Sequence, residues 1–323
     1  MSPQDNAFEV MGLIPDGDKL FEVISRYDDL LALESREGYE AGDTLALIVP
    51  FLLLGRITVQ QIRQVSQRAG IVGGVADSIK RLRASGWEIF IISTGYDAHA
   101  LNVARTLSIS DDHVYCTKVP PGLLDRSLSD QELNLVQQTK EIILSRLFTQ
   151  DIQSGTRDTD IKQLLDEFYW KRLPQTSLGV VTEKLQVRGG RRKAWALEEV
   201  SRRVGNSLRS LAFVGDSVTD MRACQLIDTM GGMAIAFNGN EYVIPYATVG
   251  IASEDFSDIL PVLEHWQAGG RSEVRRWIES EQHRDPQHCI YDWLSESPSD
   301  ISGIVAKHRL TRSLVRQRAA KLG

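Results

Sequence analysis

Two carboxylates stand four positions apart in "AFVGDSVTDMRAC" (212–224), Asp216 and Asp220, where an apolar run turns at Gly215. A second apolar run, "EIFII", leads into Ser93, Thr94 and Gly95, and "RGGRRKAWALEEV" sets Lys193 behind a glycine pair at the head of a helical pattern. Residues of these types suit phosphoryl transfer. Phosphate oxygens need hydrogen-bond donors and a cation, and hard carboxylate oxygens hold a magnesium ion that offsets the charge on the reacting group. Ser93 is the expected phosphate donor, with Thr94 as its alternate, and Gly95 frees backbone amides in a tight turn. Lys193 is expected to pair with the phosphate, and Asp216 with Asp220 to hold the metal. Each residue also has a plainer reading. Asp216 can cap the following helix, Ser93 can be a turn hydroxyl, and Lys193 shares a cationic run with Arg191 and Arg192 of the kind that solvates a surface. Asn238, after the run "GMAIAF", either lines a pocket or is a satisfied turn amide.

To act together, these residues must be brought to one place. "EIFIIS" (88–93), "HVYCTKV" (113–119), "SLAFVG" (210–215), "GMAIAFN" (232–238) and "TVGI" (248–251) are short apolar runs separated by polar or helical stretches, the pattern of a parallel sheet with crossover helices. Ligands of such sheets sit beyond the carboxyl ends of the strands, where Ser93 and Asp216 fall. Residues 1–74 read as helical. "DNAFEVMGLI" and "DKLFEVISRYDDLLALE" carry apolar residues three and four apart, Asp18 offers an N-cap, and Thr58 with Gln61 has capping-box spacing before a stop at Gly70. The sheet is expected within 75–255. "SDQELNLVQQTKEIILSRLF" and "DIKQLLDEFYWKRL" are helical stretches between the second and third strands. Residues 256–323 read as helical and charged, with a break at "HRDP" (283–286), Trp266, Trp277 and Trp293 as packing residues, and a basic closing helix with a solvated face.

The 323 residues suggest more than one domain, and 42% hydrophobic with 25% charged residues is a globular balance. A net charge of -6 gives no electrostatic reason to expect nucleic acid as a partner. The three cysteines, Cys116, Cys224 and Cys289, are odd in number and widely spaced, which points to free thiols in a reducing compartment. The most apolar run, 45–54, is shorter than the roughly 20 residues a bilayer span needs, and the start lacks the layout of a signal peptide, so no membrane is expected and the cytoplasm is the expected location. The six histidines show no metal-ligand spacing.

The order of strand plus Ser ("IIST"), Lys at a helix head, and strand plus "GDSVTD" resembles motifs II, III and IV of the haloacid dehalogenase (HAD) superfamily. "ISTGYDAH" and "AIAFNGNE" resemble its phosphoserine phosphatase-like branch, and "SREGYEAGDTL" (35–45) with "AIAFNGNEY" resembles an uncharacterised archaeal HAD-like group. The resemblance covers most of the chain and thins after about residue 255. It implies a Rossmann-like α/β core, magnesium and a phosphoaspartate mechanism, though not a particular substrate. With it the helices of 1–74, ahead of the core, are expected to form a cap, and a phosphorylated small molecule is the expected substrate class. One motif is missing. Motif I, a strand ending in the nucleophilic Asp, should precede "DNAFE", and no strand stands there. Asp16 and Asp18 have Asp-x-Asp spacing, but Pro15 lacks the amide of a central strand, and a helix-linking turn is the better reading. The expectation is a late start that omits motif I. The alternative is a HAD-like binding or regulatory protein that has lost catalysis.

Overall fold

The computed structural model describes residues 5–147, 154–281, 289–295 and 300–322. The "HRDP" break lies outside them. The chain opens with short helices, α1 (Asn6–Met11), α2 (Gly17–Leu33), α3 (Thr44–Leu47), α4 (Val49–Leu54) and α5 (Val59–Ser66). Asp5 caps α1 by accepting from the Ala7 and Phe8 amides. Thr58 and Gln61 form the expected capping box of α5. α2 starts at Gly17 rather than behind Asp18, because Asp16 takes the left-handed conformation (φ 58°) of a turn and pairs with Lys19 on the surface.

The second unit begins with α6 (Val75–Ala84), β1 (Ile91–Tyr96), α7 (Asp97–Thr106) and β2 (Val114–Thr117). The chain then returns to the first unit through α8 (Asp130–Ile142), α9 (Ser154–Asp166) and α10 (Ser177–Thr182). Leu135, Ile161, Phe168 and Leu178 share one core with Leu20, Ile24 and Phe51. The helical unit is therefore built from two separate stretches, and residues 123–187, expected within the sheet domain, belong to it. Pairs such as Tyr27 stacked on Tyr169, and the Tyr169 hydroxyl donating to the Leu47 carbonyl, fasten the stretches together. These partners lie over a hundred residues apart, beyond the reach of a local pattern.

α11 (Arg191–Val204) leads back to the sheet unit, which continues with β3 (Ala212–Gly215), α12 (Met221–Thr229), β4 (Met233–Phe237), β5 (Val249–Ser253), α13 (Ile259–Glu281), β6 (Cys289–Trp293) and α14 (Ile301–Leu322). β3, β4 and β5 are parallel neighbours, and β6 adds antiparallel to β5. β4 and β5 are buried along their whole length, as strands covered by helices on both faces must be. The chain beyond 256 is thus part of this sheet unit: Phe256, Leu260, Val262 and Val274 join its core, and β6, with Trp293, is a strand where helix was expected.

The fold is mixed α/β, with a discontinuity in its sheet. β1 pairs in parallel with β2 alone, and β3 begins the other sheet, so no strand pairing joins β1 to β3. Both strands are only part-buried, unlike β4 and β5. Among the described residues no helix is long and apolar enough to cross a membrane.

Candidate functional site

The break in the sheet is a cavity of about 1070 Å³. Its walls follow β1 from Ile89 to Gly95 and β3 from Leu211 to Gly215, and continue over Asp216–Asp220, Lys193 and Asn238. Asp5, Asn6 and Ala7, at the start of α1, line it as well. Every candidate residue expected from the sequence therefore reaches this one cavity, at the carboxyl ends of β1, β3 and β4.

Lys193 and Asp220 are each only 5% exposed, and Lys193 Nζ lies 2.7 Å from Asp220 Oδ1 and 3.2 Å from Thr219 Oγ1. The other oxygen of Asp220 accepts from the amides of Asp216 and Ser217 at 3.1 and 3.2 Å and from the Ser217 hydroxyl. Burial pushes the Asp220 pKa up, but the Lys193 charge and hydrogen bond, helped by those two amides, hold the carboxyl below its ordinary value. Both oxygens of Asp220 thus accept hydrogen bonds, one from Lys193 and the other from the turn after β3.

Asp216 is different. Half of its side chain is exposed, and Arg312 of α14 meets both its carboxylate (2.9 Å) and its carbonyl (2.7 Å). A magnesium ion keeps several waters and needs only one or two protein carboxylates beside substrate oxygens, and Asp216, already holding a positive group with two of its oxygens, fits that role. Among the described residues no group of three or more His, Cys, Asp or Glu gathers to cage a metal. Asp216 is the more exposed carboxylate of the expected pair, and Asp220 the one held by Lys193.

The other candidates divide in the same way. Ser93 Oγ accepts from the Gly95 amide at 3.1 Å, which leaves its hydroxyl proton for another acceptor. Thr94 Oγ1 is buried and has no hydrogen-bond partner among the described residues. Asn238 is committed to the fold: in a left-handed turn (φ 49°), its Nδ2 donates to the Ser253 carbonyl and its Oδ1 accepts from the Ser253 amide. Its side chain is a satisfied turn amide that bridges the ends of β4 and β5 at the cavity wall. Asp16 sits on the surface of the helical unit, away from the cavity walls.

The helical unit closes over this centre through the loop 39–44. Gly42 has φ +94°, and a Cβ there would stand 2.8 Å from Thr94 Cγ2 and 2.9 Å from Thr219 Cγ2, so the loop touches the site because it carries no side chain at that point. Two ion pairs latch it. Glu40 accepts from the amide and the guanidinium of Arg191, and Asp43 pairs with Arg192. Gly189 permits this approach, since its Cβ would lie 2.0 Å from the Ala41 carbonyl oxygen. The cationic run is therefore divided: Arg191 and Arg192 hold the loop, and Lys193 faces the cavity.

Sequence reasoning passed over two further wall residues. Asp28 of α2 is buried, accepts from the Tyr39 hydroxyl at 2.5 Å and from the Gly42 amide, and burial pushes its carboxyl up to about 7 against those bonds and one from Thr44. Arg312 lies in a helix whose basic face was read as solvated. The acidic "YDD" of α2 (27–29) and the register of Arg309 with Arg312, three apart, were the available signals, and neither is specific.

Neither a protein-family model nor a curated protein matches the chain. Among solved structures, the gene product AF1437 from Archaeoglobus fulgidus is similar with a TM-score of 0.80 at 22% sequence identity, over 98% of this chain and 94% of that one. That likeness shows that the two share a fold across nearly their whole lengths.

Proposed function

We propose that the chain forms a HAD-like phosphohydrolase: a Rossmann-like core and a helical cap that together act as a magnesium-dependent phosphomonoester phosphatase. The observation that carries this reading is the strand-length slot between β1 and β3, with Ser93, Lys193 and Asp216 gathered at its carboxyl end. The nucleophile of this reading is the motif I Asp that the resemblance expects ahead of "DNAFE"; Asp5, Asn6 and Ala7, at the start of α1, line the same cavity.

In this reading the Asp oxygen bonds to phosphorus as the ester P–O bond breaks, and the leaving oxygen takes a proton from solvent. Water then attacks phosphorus, giving up a proton to solvent, as the aspartyl O–P bond breaks, which releases inorganic phosphate and restores the carboxylate. The Ser93 hydroxyl donates to a phosphoryl oxygen. Lys193, fixed by Asp220 and Thr219, adds positive charge beside the same group without having to be ordered during the reaction. Asp216 would hold a magnesium ion, which when bound would supply charge neutralisation. The latched loop 39–44 excludes water and positions the substrate's organic portion. The substrate is a phosphorylated small molecule.

The test is hydrolysis of p-nitrophenyl phosphate with magnesium, by the 323-residue chain and by a form in which a strand ending in Asp is joined ahead of Asp5. Turnover in the extended form, lost again on Asp216→Asn, is the expected result. If both forms fold and neither turns over, the phosphatase reading fails and the HAD-like binding protein takes its place.

A further inference from the structure

α14 brings a cation to the site on a rigid arm. His308 is fully buried and accepts from the Gly239 amide at 3.0 Å, Ile304 packs in the core beside Leu294, and Arg309 pairs with Glu241. These contacts fix the helix one turn before Arg312. The guanidinium is 19% exposed and grips Asp216 at two oxygens, one from the side chain and one from the backbone. Forks of this kind, with an ionised partner, are the stronger hydrogen bonds of proteins.

We propose that Arg312 is a tethered counter-cation for Asp216, so that a divalent cation reaching this carboxylate must first displace the arginine, and α14 thereby sets the affinity of the site. The inference rests on the reading of Asp216 as a cation ligand given above. The local charges support it. Asp216, Asp220 and Glu241 face Arg312, Lys193 and Arg309, three carboxylates against three cations, each already paired. Asp28 and Asp29 line the same cavity, but the cation on Asp216 is Arg312, and a doubly charged ion coordinating that carboxylate meets its repulsion unless the arginine swings out. Lys193 is buried and bound to Asp220 and Thr219, and Arg309 is not on Asp216, which leaves Arg312 as the group that yields.

Magnesium binding to the 323-residue chain, measured by isothermal titration with the metal alone, tests this, with manganese electron paramagnetic resonance as a second readout. Arg312→Gln is expected to bind the cation roughly tenfold more tightly than the parent chain, the size expected when a charge-assisted hydrogen bond no longer competes. Arg312→Lys, which keeps the charge and loses the fork, is expected between the two. A merely structural arginine would shift the affinity the other way, by loosening the loop that carries Asp216. Equal or weaker binding in Arg312→Gln, or in Arg312→Lys should the first variant fail to fold, overturns the proposal. A gain that survives the further change Asp216→Asn means that the cation binds elsewhere, and sinks the reading of Asp216 instead.

Discussion

Lys193 Nζ and Asp220 Oδ1, 27 residues apart in sequence, meet at 2.7 Å inside the protein and tie the head of α11 to the turn after β3. Such a pair is weak evidence for stability as a unit, since desolvating both charges offsets their attraction. Breaking one half is another matter.

Asp220→Asn leaves the ammonium of Lys193 buried opposite a neutral amide and is expected to cost about 3–5 kcal/mol in urea unfolding. The paired change Lys193→Met with Asp220→Leu should cost much less, because it removes the uncompensated charge. If the single change costs no more than the double one, the pair is not buried as described.

Gly42→Ala addresses the roof of the site. The left-handed backbone and the two methyl groups within 3 Å of the new Cβ both oppose alanine. A loss of about 1–3 kcal/mol is expected, together with faster hydrogen exchange at the amides of 39–44 as the loop lifts from Thr94 and Thr219. Unchanged exchange would show that the loop does not rest on the site.

Asp28 gives the protein a pH dependence of unusual sign for a carboxylate. Burial raises its folded pKa from the ordinary 3.8 to about 7. Between those values the unfolded chain has given up the proton and the folded chain keeps it. Stability from this group therefore falls as pH climbs through that window, and levels off above about 7. Asp28→Asn keeps an acceptor for the Tyr39 hydroxyl and removes the titration. The variant should lose less stability than the parent between pH 5 and pH 8, by on the order of 2–4 kcal/mol, measured by thermal or urea unfolding. Parallel curves for the two proteins would contradict the assignment.

The parts of this molecule that could be read in advance are those written locally. "MAIAF" and "VGIAS" are apolar on both faces because helices cover both, and Thr58 with Gln61 needs only its own first turn to be recognised as a cap. What escaped was written at a distance. "CIYDW" is a strand because β5 offers it an edge, and the helices of 130–182 pack on α2 and α4 because their apolar faces find Ile24 and Phe51, not the sheet. Ser93, Lys193 and Asp216 were legible as types in order. The division of labour between Asp216 and Asp220 was not, since it turns on which one Lys193 reaches, and neither was the engagement of Arg191 and Arg192 by Glu40 and Asp43, about 150 residues earlier in the chain.

The gap between β1 and β3 has a bearing on how the protein behaves in a crowded solution. Each of these strands ends its sheet without a strand partner on the side facing the gap, and a strand edge of that kind is a template on which another chain can zip. An intramolecular tenant in the slot acts as a stopper against such pairing. Left uncovered, the same two rails are where intermolecular adhesion would start, so whatever fills the slot also governs how far the protein can be concentrated before it clumps.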